Sequence, residues 1–183
     1  MSRAEFEVKV RLSGVELSEI AGKLANLGFS RSEDVYEEDH YFDLRGCSGY
    51  TEGSVLRFRR VESASGVRYK LTYKSPATLS GVKARDEFEV ELGDDGVFRV
   101  LKMLGLRDFA IRKRRSYFTG ADMSVSIDEV ECLGNFMEFE KVNPRSAEEF
   151  IARVRDVLRK LGLDGSELIS KSYLELFLAS NCK

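Results

Sequence analysis

Long apolar runs are missing from this chain. None approaches the ~18 residues a helix needs to cross a bilayer, so no membrane span is expected. The opening Met1-Ser2-Arg3-Ala4-Glu5 turns acidic at once and carries no apolar signal core, which sets the expectation against secretion and for a cytoplasmic protein. Cysteine is scarce: Cys47, Cys132 and Cys182 are odd in number, far apart and form no CxxC pair. That pattern argues against both a disulfide frame and a zinc site, and fits a reducing compartment. With His40 as the single histidine, a Ser-His-Asp triad or a histidine-rich metal centre has little material to work with. Only two prolines and no low-complexity stretch occur, so no linker or tail is expected and residues 1–183 read as one domain. An excess of either charge is also lacking. The 29 basic and 31 acidic residues leave a net charge of −2, which gives no global attraction to nucleic acid or membrane. Any function through charge must come from local segregation of the two signs.

What is present is an internal echo. Glu5-Phe6-Glu7-Val8, Glu87-Phe88-Glu89-Val90 and Glu138-Phe139-Glu140 share one strand-like pattern. Each is followed by a helical stretch ending in Leu-Gly-apolar: Leu27-Gly28-Phe29, Leu104-Gly105-Leu106 and Leu161-Gly162-Leu163. Glycine just past a helix end is the usual left-handed cap. Strands are expected near 4–12, 34–44, 54–62, 67–74, 84–92, 108–118, 123–131 and 136–142, and helices near 15–27, 94–104, 146–161 and 172–179. Ser146, with Glu149 three residues on, reads as a capping box for the third helix. The pattern predicts an α+β fold: about eight strands in an antiparallel, closed or nearly closed sheet with helices packed outside.

Alternate residues of a strand share a face. In the first strand Glu5, Glu7, Lys9 and Arg11 oppose Phe6, Val8, Val10 and Leu12. Glu87, Glu89 and Glu91 oppose Phe88, Val90 and Leu92, and Glu138 and Glu140 oppose Met137 and Phe139. Arg57 and Arg59 share a face, as do Lys70, Thr72 and Lys74, Lys113 and Arg115, and Asp128 with Ser124 and Ser126. A solvated sheet face is the ordinary explanation. Two observations pull against it. The signs sort by strand, whereas a merely soluble surface mixes them, because like charges repel. The helices are amphipathic and need an apolar surface to cover; covering the apolar face puts the charged face inside. Such an interior survives only if its charges are compensated by each other, by metal ions and by a polyanion. Paired carboxylates on neighbouring strands are hard oxygen donors suited to Mg²⁺ or Mn²⁺, and converging Arg and Lys groups suit a run of phosphates. Phosphoryl or nucleotidyl transfer is mostly positioning and charge stabilisation, so this inventory suffices without a nucleophilic side chain.

Glu5-x-Glu7-x-Lys9 resembles the ExExK motif of the CYTH superfamily, the triphosphate tunnel metalloenzymes. It is joined in order by Asp39-His40-Tyr41-Phe42-Asp43, Leu56-Arg57-Phe58-Arg59, Leu71-Thr72-Tyr73-Lys74, Lys113-x-Arg115, Asp128-x-Val130-x-x-Leu133-Gly134-x-Phe136-x-Glu138-x-Glu140 and Ser172-Tyr173-x-Glu175-Leu176, a likeness that spans nearly the whole chain. The resemblance implies an eight-stranded antiparallel β barrel forming a triphosphate tunnel. Glu5, Glu7, Glu138 and Glu140 then look like the metal-handling acids, with Asp128 as an additional candidate for Mg²⁺ or Mn²⁺. Lys9, Arg57, Arg59, Lys74, Lys113 and Arg115 look like the triphosphate grip, and Lys70, Glu87 and Glu89 are additional tunnel residues. The chain is similar above all to the class IV adenylyl cyclase-like and thiamine triphosphatase-like branch.

Three functions compete, beside a plain structural sheet protein, which requires the strand-sorted charges to be accidental. One is hydrolysis of a triphosphate such as ATP, thiamine triphosphate or tripolyphosphate. Another is cyclisation of ATP to cyclic AMP and pyrophosphate. The third is non-catalytic binding of polyphosphate or nucleotide, for which damaged acids would be the sign, whereas both ExE motifs are intact. No general base is identifiable, and homodimerisation is compatible with such a fold without a residue to carry it. His40 reads either as a rim residue or as a contact to an organic group at the tunnel mouth. The run Arg112-Lys113-Arg114-Arg115 is split by strand alternation and lacks an aromatic platform, which counts against nucleic acid. Gly46-Cys47-Ser48-Gly49 lacks the GK[ST] ending of a phosphate loop. Tyr173 reads either as a closure of one tunnel end or as packing.

Overall fold

The computed structural model describes residues 4–76, 78–79 and 83–182, so the first three residues of the opening read above lie outside it. Eight long strands, β1 (Ala4–Arg11), β2 (Ser30–Phe42), β3 (Val55–Ser63), β4 (Gly66–Lys74), β6 (Lys83–Leu92), β7 (Asp108–Thr119), β8 (Ser124–Val130) and β9 (Gly134–Val142), are joined by a two-residue β5 (Thr78–Leu79). Four helices accompany them: α1 (Leu17–Asn26), α2 (Gly96–Met103), α3 (Ala147–Leu161) and α4 (Tyr173–Ala179). Every strand pairing is antiparallel. The strands run in the order β1-β9-β8-β7-β2-β3-β4-β6-β5, and a further pairing of β1 with β6 curls the sheet into a barrel. That seam covers only residues 4–7 of β1. Beyond it Lys9 exchanges two backbone hydrogen bonds with Ile169, at 3.0 and 2.7 Å, so a C-terminal segment carries the seam on.

The strand and helix pattern read from the sequence is observed, with two differences. Strand β2 begins at Ser30, four residues early, because its polar start is recruited by the end of β7 across a register shift between Arg31 and Glu33. The short β5 carries no periodicity to read. All three Leu-Gly triplets end helices as expected: Gly28, Gly105 and Gly162 sit at φ 87°, 80° and 79°. Ser146 accepts from the Glu149 amide, which is half of the expected box. The full reciprocal box stands at Ser172 and Glu175, opening α4.

The apolar face of the curled sheet points outward. Val8 and Val10 of β1, Val125 and Ile127 of β8 and Met137 and Phe139 of β9 form one core with Ile20 and Leu24 of α1 and Phe150, Val154, Val157, Leu158 and Leu161 of α3. Each fully buried side chain of this set contributes roughly 1.5–3 kcal/mol. Helices α1 and α3 therefore pack outside, as expected. Helix α2 lies lightly: it buries no side chain, and it touches the sheet where Phe98 meets His40 and Phe58, at ring separations of 4.5 and 5.0 Å. Helix α4 does not pack outside at all. With Tyr41, Ile111, Val130, Leu133 and Phe136 it forms a second apolar cluster that fills one end of the barrel.

The cysteines correct the sequence reading. Cys132, between β8 and β9, is joined to Cys182 beyond α4, with Cα atoms 5.9 Å apart across 50 residues of sequence; Cys47 is a free, exposed thiol. Wide spacing in sequence says nothing once the C-terminus folds back over the β8–β9 turn. Among the described residues, no helix is long and apolar enough to cross a membrane.

Candidate functional site

Sheet order turns the strand-sorted charges into two arcs. Strands β6, β1 and β9 are neighbours and bring Glu87, Glu89, Glu5, Glu7, Glu138 and Glu140 together on one side. Strands β7, β3 and β4, on the other side, bring Lys113, Arg115, Arg57, Arg59, Lys70 and Lys74. The arcs face one another across a cavity of about 940 Å³, lined among the described residues by eight carboxylates and seven basic groups. One end is filled by the α4 cluster, while Ser32, Thr119, Ser124 and Val142 at the other rim are exposed. The cavity is a cup.

The basic arc is braced from below by β2, which sits between β7 and β3. Asp39 accepts from Arg59 Nε at 2.5 Å and Nη2 at 2.7 Å, and from Lys113 Nζ at 2.9 Å. Glu37 lies 2.8 Å from Lys113 and 3.0 Å from Arg59, and accepts from the Tyr117 hydroxyl at 2.8 Å. Burial alone would raise both carboxyls. The neighbouring Arg59 and Lys113 charges win and hold Glu37 and Asp39 below the usual carboxylate range. The same interior pushes the Tyr117 hydroxyl up to about 12, burial being the largest cause.

Arg57 is held differently. Its nearest carboxylate oxygens, on Asp39, Glu89 and Glu87, are 3.9, 3.9 and 4.0 Å away, and Thr72 accepts from it at 3.2 Å. Its Nε is buried and has no hydrogen-bond partner among the described residues. A buried guanidinium with an unused donor, facing a cavity, is an incomplete anion contact.

The acidic arc is short of cations. Glu5 hydrogen-bonds Glu87, with Lys74 3.6 Å away, and burial, Glu87 and Glu140 push its carboxyl up to about 10. Glu140 is raised by burial and by Glu138. Glu87 goes the other way: against the pull of burial, the hydrogen bond from Glu5 and the Lys74 ammonium at 2.5 Å hold it at about 2. This is the charge deficit a divalent cation would relieve, and the donors are hard oxygens of the right kind. As they stand, however, no three of them among the described residues group tightly enough to enclose an ion. Lys9 occupies Glu7 at 2.5 Å and Glu138 at 3.2 Å, and Arg115 occupies Glu138 at 2.8 Å.

Two of the residues expected in the site sit otherwise than in an open tunnel wall. Lys9 is fully buried beneath the acids as their counter-ion, off the cavity surface. Asp128 is also fully buried, its two oxygens taken by Arg115 at 2.6 and 2.5 Å and by the Tyr173 hydroxyl at 2.5 Å. Lys70, bound to Glu89 at 2.7 Å, lines the cavity towards its solvent side. The other candidates also line the cavity. Sequence reasoning missed Glu37, Asp39 and Tyr117; the buried face of β2, with Val35, Glu37, Asp39 and Tyr41, reads much like its other face in sequence and offers no signal of its own. His40 faces outward beneath α2, 2.6 Å from Asp108, and not into the mouth. Arg112 and Arg114 are exposed while Lys113 and Arg115 are buried, as the split of the basic run predicted.

The family model described as the CYTH domain matches residues 3–173. A protein of Methanocaldococcus jannaschii named "Putative adenylate cyclase" is 31 % identical over 183 residues, covering 94 % of this chain and 97 % of its own length. The adenylate cyclase CyaB of Aeromonas hydrophila is 30 % identical over 178 residues, covering 95 % of this chain and 88 % of its own length. A solved structure of a Pyrococcus horikoshii protein superposes with a TM-score of 0.76 at 29 % identity, over 96 % of this chain and 98 % of that one.

Proposed function

This chain belongs to the CYTH domain family, and on that premise we propose that it binds a triphosphate together with Mg²⁺ or Mn²⁺ in the barrel cavity and hydrolyses it. The observation that carries the reading is the facing of an acidic and a basic arc across one cup. Its lining is nearly balanced in charge, with eight carboxylates against seven basic groups. A triphosphate entering alone would meet a full set of carboxylates, whereas one entering with divalent cations keeps the interior near neutral.

Glu5, Glu7, Glu138 and Glu140 would hold the cation, which when bound supplies a Lewis acid for a phosphoryl oxygen and an oriented water. Arg57, Arg59, Lys74, Lys113 and Arg115 grip the phosphates, and Arg57 offers a donor already unused. Glu37, Asp39 and Asp128 hold the guanidinium and ammonium groups in place, so little reorganisation is left when the anion arrives. Lys9 keeps the acids apart and compensated. Glu87 and Glu89 position Lys74 and Lys70. We assign no side chain as general base. The apolar cluster under α4 keeps bulk water from the floor.

A second reading, cyclisation of ATP, is favoured by the names of the two curated relatives. It requires a seat for the nucleoside, and His40, the side chain read as a contact at the mouth, lies on the outer face. Incubation with ATP, thiamine triphosphate and tripolyphosphate, each with Mg²⁺ or Mn²⁺, separates the readings. Orthophosphate release supports hydrolysis. Cyclic AMP with pyrophosphate replaces it by the cyclase. Tight binding without turnover leaves a binding module.

A further inference from the structure

Among the described residues, the floor of the cup is the part of the site not supplied by the barrel. Its hydroxyl donor, Tyr173, opens α4 and contacts Asp128, which in turn holds Arg115 by both oxygens. The ammonium groups of Lys9 and Lys113 lie 5.0 and 5.6 Å from the centre of the same ring. Yet α4 has seven residues, too few to hold a helix alone, and much of its apolar surface is only partly covered, with Leu178 56 % exposed. Just past its end, nearly buried Cys182 is bonded to exposed Cys132, in the turn that joins β8, which carries Asp128, to β9, which carries Glu138. The bond removes chain freedom across 50 residues and ties the floor to the strands it positions.

We propose that the Cys132–Cys182 bond is a redox lock on α4, and that through Tyr173 and Asp128 it sets the position of Arg115. A dithiol reductant opens it. One thiolate attacks the exposed Cys132 sulfur, forming a mixed disulfide and releasing the Cys182 thiolate. The second thiol of the reductant then displaces Cys132, leaving two cysteine thiols and an oxidised reductant, with two electrons and two protons transferred. The unlocked floor loosens and the anion grip weakens. The ligand half of this inference rests on the triphosphate reading; the lock itself does not.

The test compares the full chain, carrying Cys47→Ser to remove the third thiol, before and after treatment with dithiothreitol. Hydrogen exchange at residues 173–179 is expected to quicken on reduction while β1 and β9 stay protected, and Cys182→Ser should show the fast exchange without reductant. Tripolyphosphate affinity, by calorimetry, is expected to fall about tenfold, the scale of one buried charge-assisted contact. Tyr173→Phe should lower it similarly in the oxidised protein, and reduction should add little to that variant, because two steps on one path do not sum. Unchanged exchange at α4 overturns the lock. Faster exchange with unchanged affinity, or fully additive losses, overturns the coupling to Arg115. Absence of tripolyphosphate binding in both states overturns the triphosphate reading and the ligand half with it, while exchange still decides the lock.

Discussion

Glu5, on the acidic arc, is partly buried, and Glu37, beneath the basic one, is fully buried in the same barrel. Partial burial and the nearby Glu87 and Glu140 push the first up to about 10, whereas Arg59 and Lys113 hold the second below its ordinary range against deeper burial. The difference lies in the neighbours, not in depth. Apart from Arg57, the basic arc is finished: its cations are paired, oriented and braced before any ligand arrives. The acidic arc is unfinished, with carboxylates crowding one another for want of positive charge. A site divided in this way is stable on one side and receptive on the other.

The comparison can be broken most forcefully by removing acids from the receptive side. Glu140→Ala, or Glu138→Ala, is expected to lower metal-dependent turnover of tripolyphosphate about a hundredfold or more, read as phosphate release. Glu140→Ala should leave the melting temperature of the metal-free protein nearly unchanged, since it relieves repulsion. Unimpaired turnover with both acids removed would overturn their metal role.

On the finished side the loss should appear in stability instead. Glu37→Gln leaves Lys113 and Arg59 short of a partner and is expected to cost about 3 kcal/mol in urea unfolding, the usual scale for breaking a buried pair. A cost near zero would mean that the brace is not one. The sign with pH follows. Because the folded carboxyls of Glu37 and Asp39 lie below their unfolded values, their contribution is whole above about pH 4.3, the ordinary glutamate value, and is lost as pH falls through the depressed folded values. Below about pH 4.3 the protein should therefore lose a contribution that Glu37→Gln lacks, so the gap in unfolding free energy between the two should narrow as pH falls towards about 3, while Glu5 and Glu140, raised in the folded state, act the other way in both.

Arg57 is the exception on its own arc, and Arg57→Ala sharpens the contrast. Its ion contacts are long and its Nε is unused. The substitution is expected to weaken tripolyphosphate binding about tenfold with little change in melting temperature, checked by calorimetry and thermal unfolding. The smallest effect belongs to the outer face: His40→Gln should leave turnover within about twofold, and a larger change would bring α2 into the site.

Much of this division was legible in the sequence. Where a strand alternates charged with apolar residues, as in β1, β3, β6 and β9, the inner face announces itself, and the Leu-Gly triplets mark the helix ends. Strand β2 hid its role because it is polar on both faces. Glu37 and Asp39 look no different in sequence from Glu38 and His40, which point outward to Arg112 and Asp108. The occupation of Asp128 by Arg115 and Tyr173, and of Glu7 and Glu138 by Lys9, depends on which strands lie side by side, and spacing along one strand cannot tell that. The disulfide was illegible for a related reason: nothing near Cys182 in sequence says that the chain returns to the turn at Cys132.

The filled end of the barrel makes the cup a room with one door. On the hydrolysis reading, whatever enters first would leave last, and a fragment of triphosphate left against the floor would block the next arrival. Product release would then be ordered by depth, and the deepest product should compete with substrate for the same basic groups.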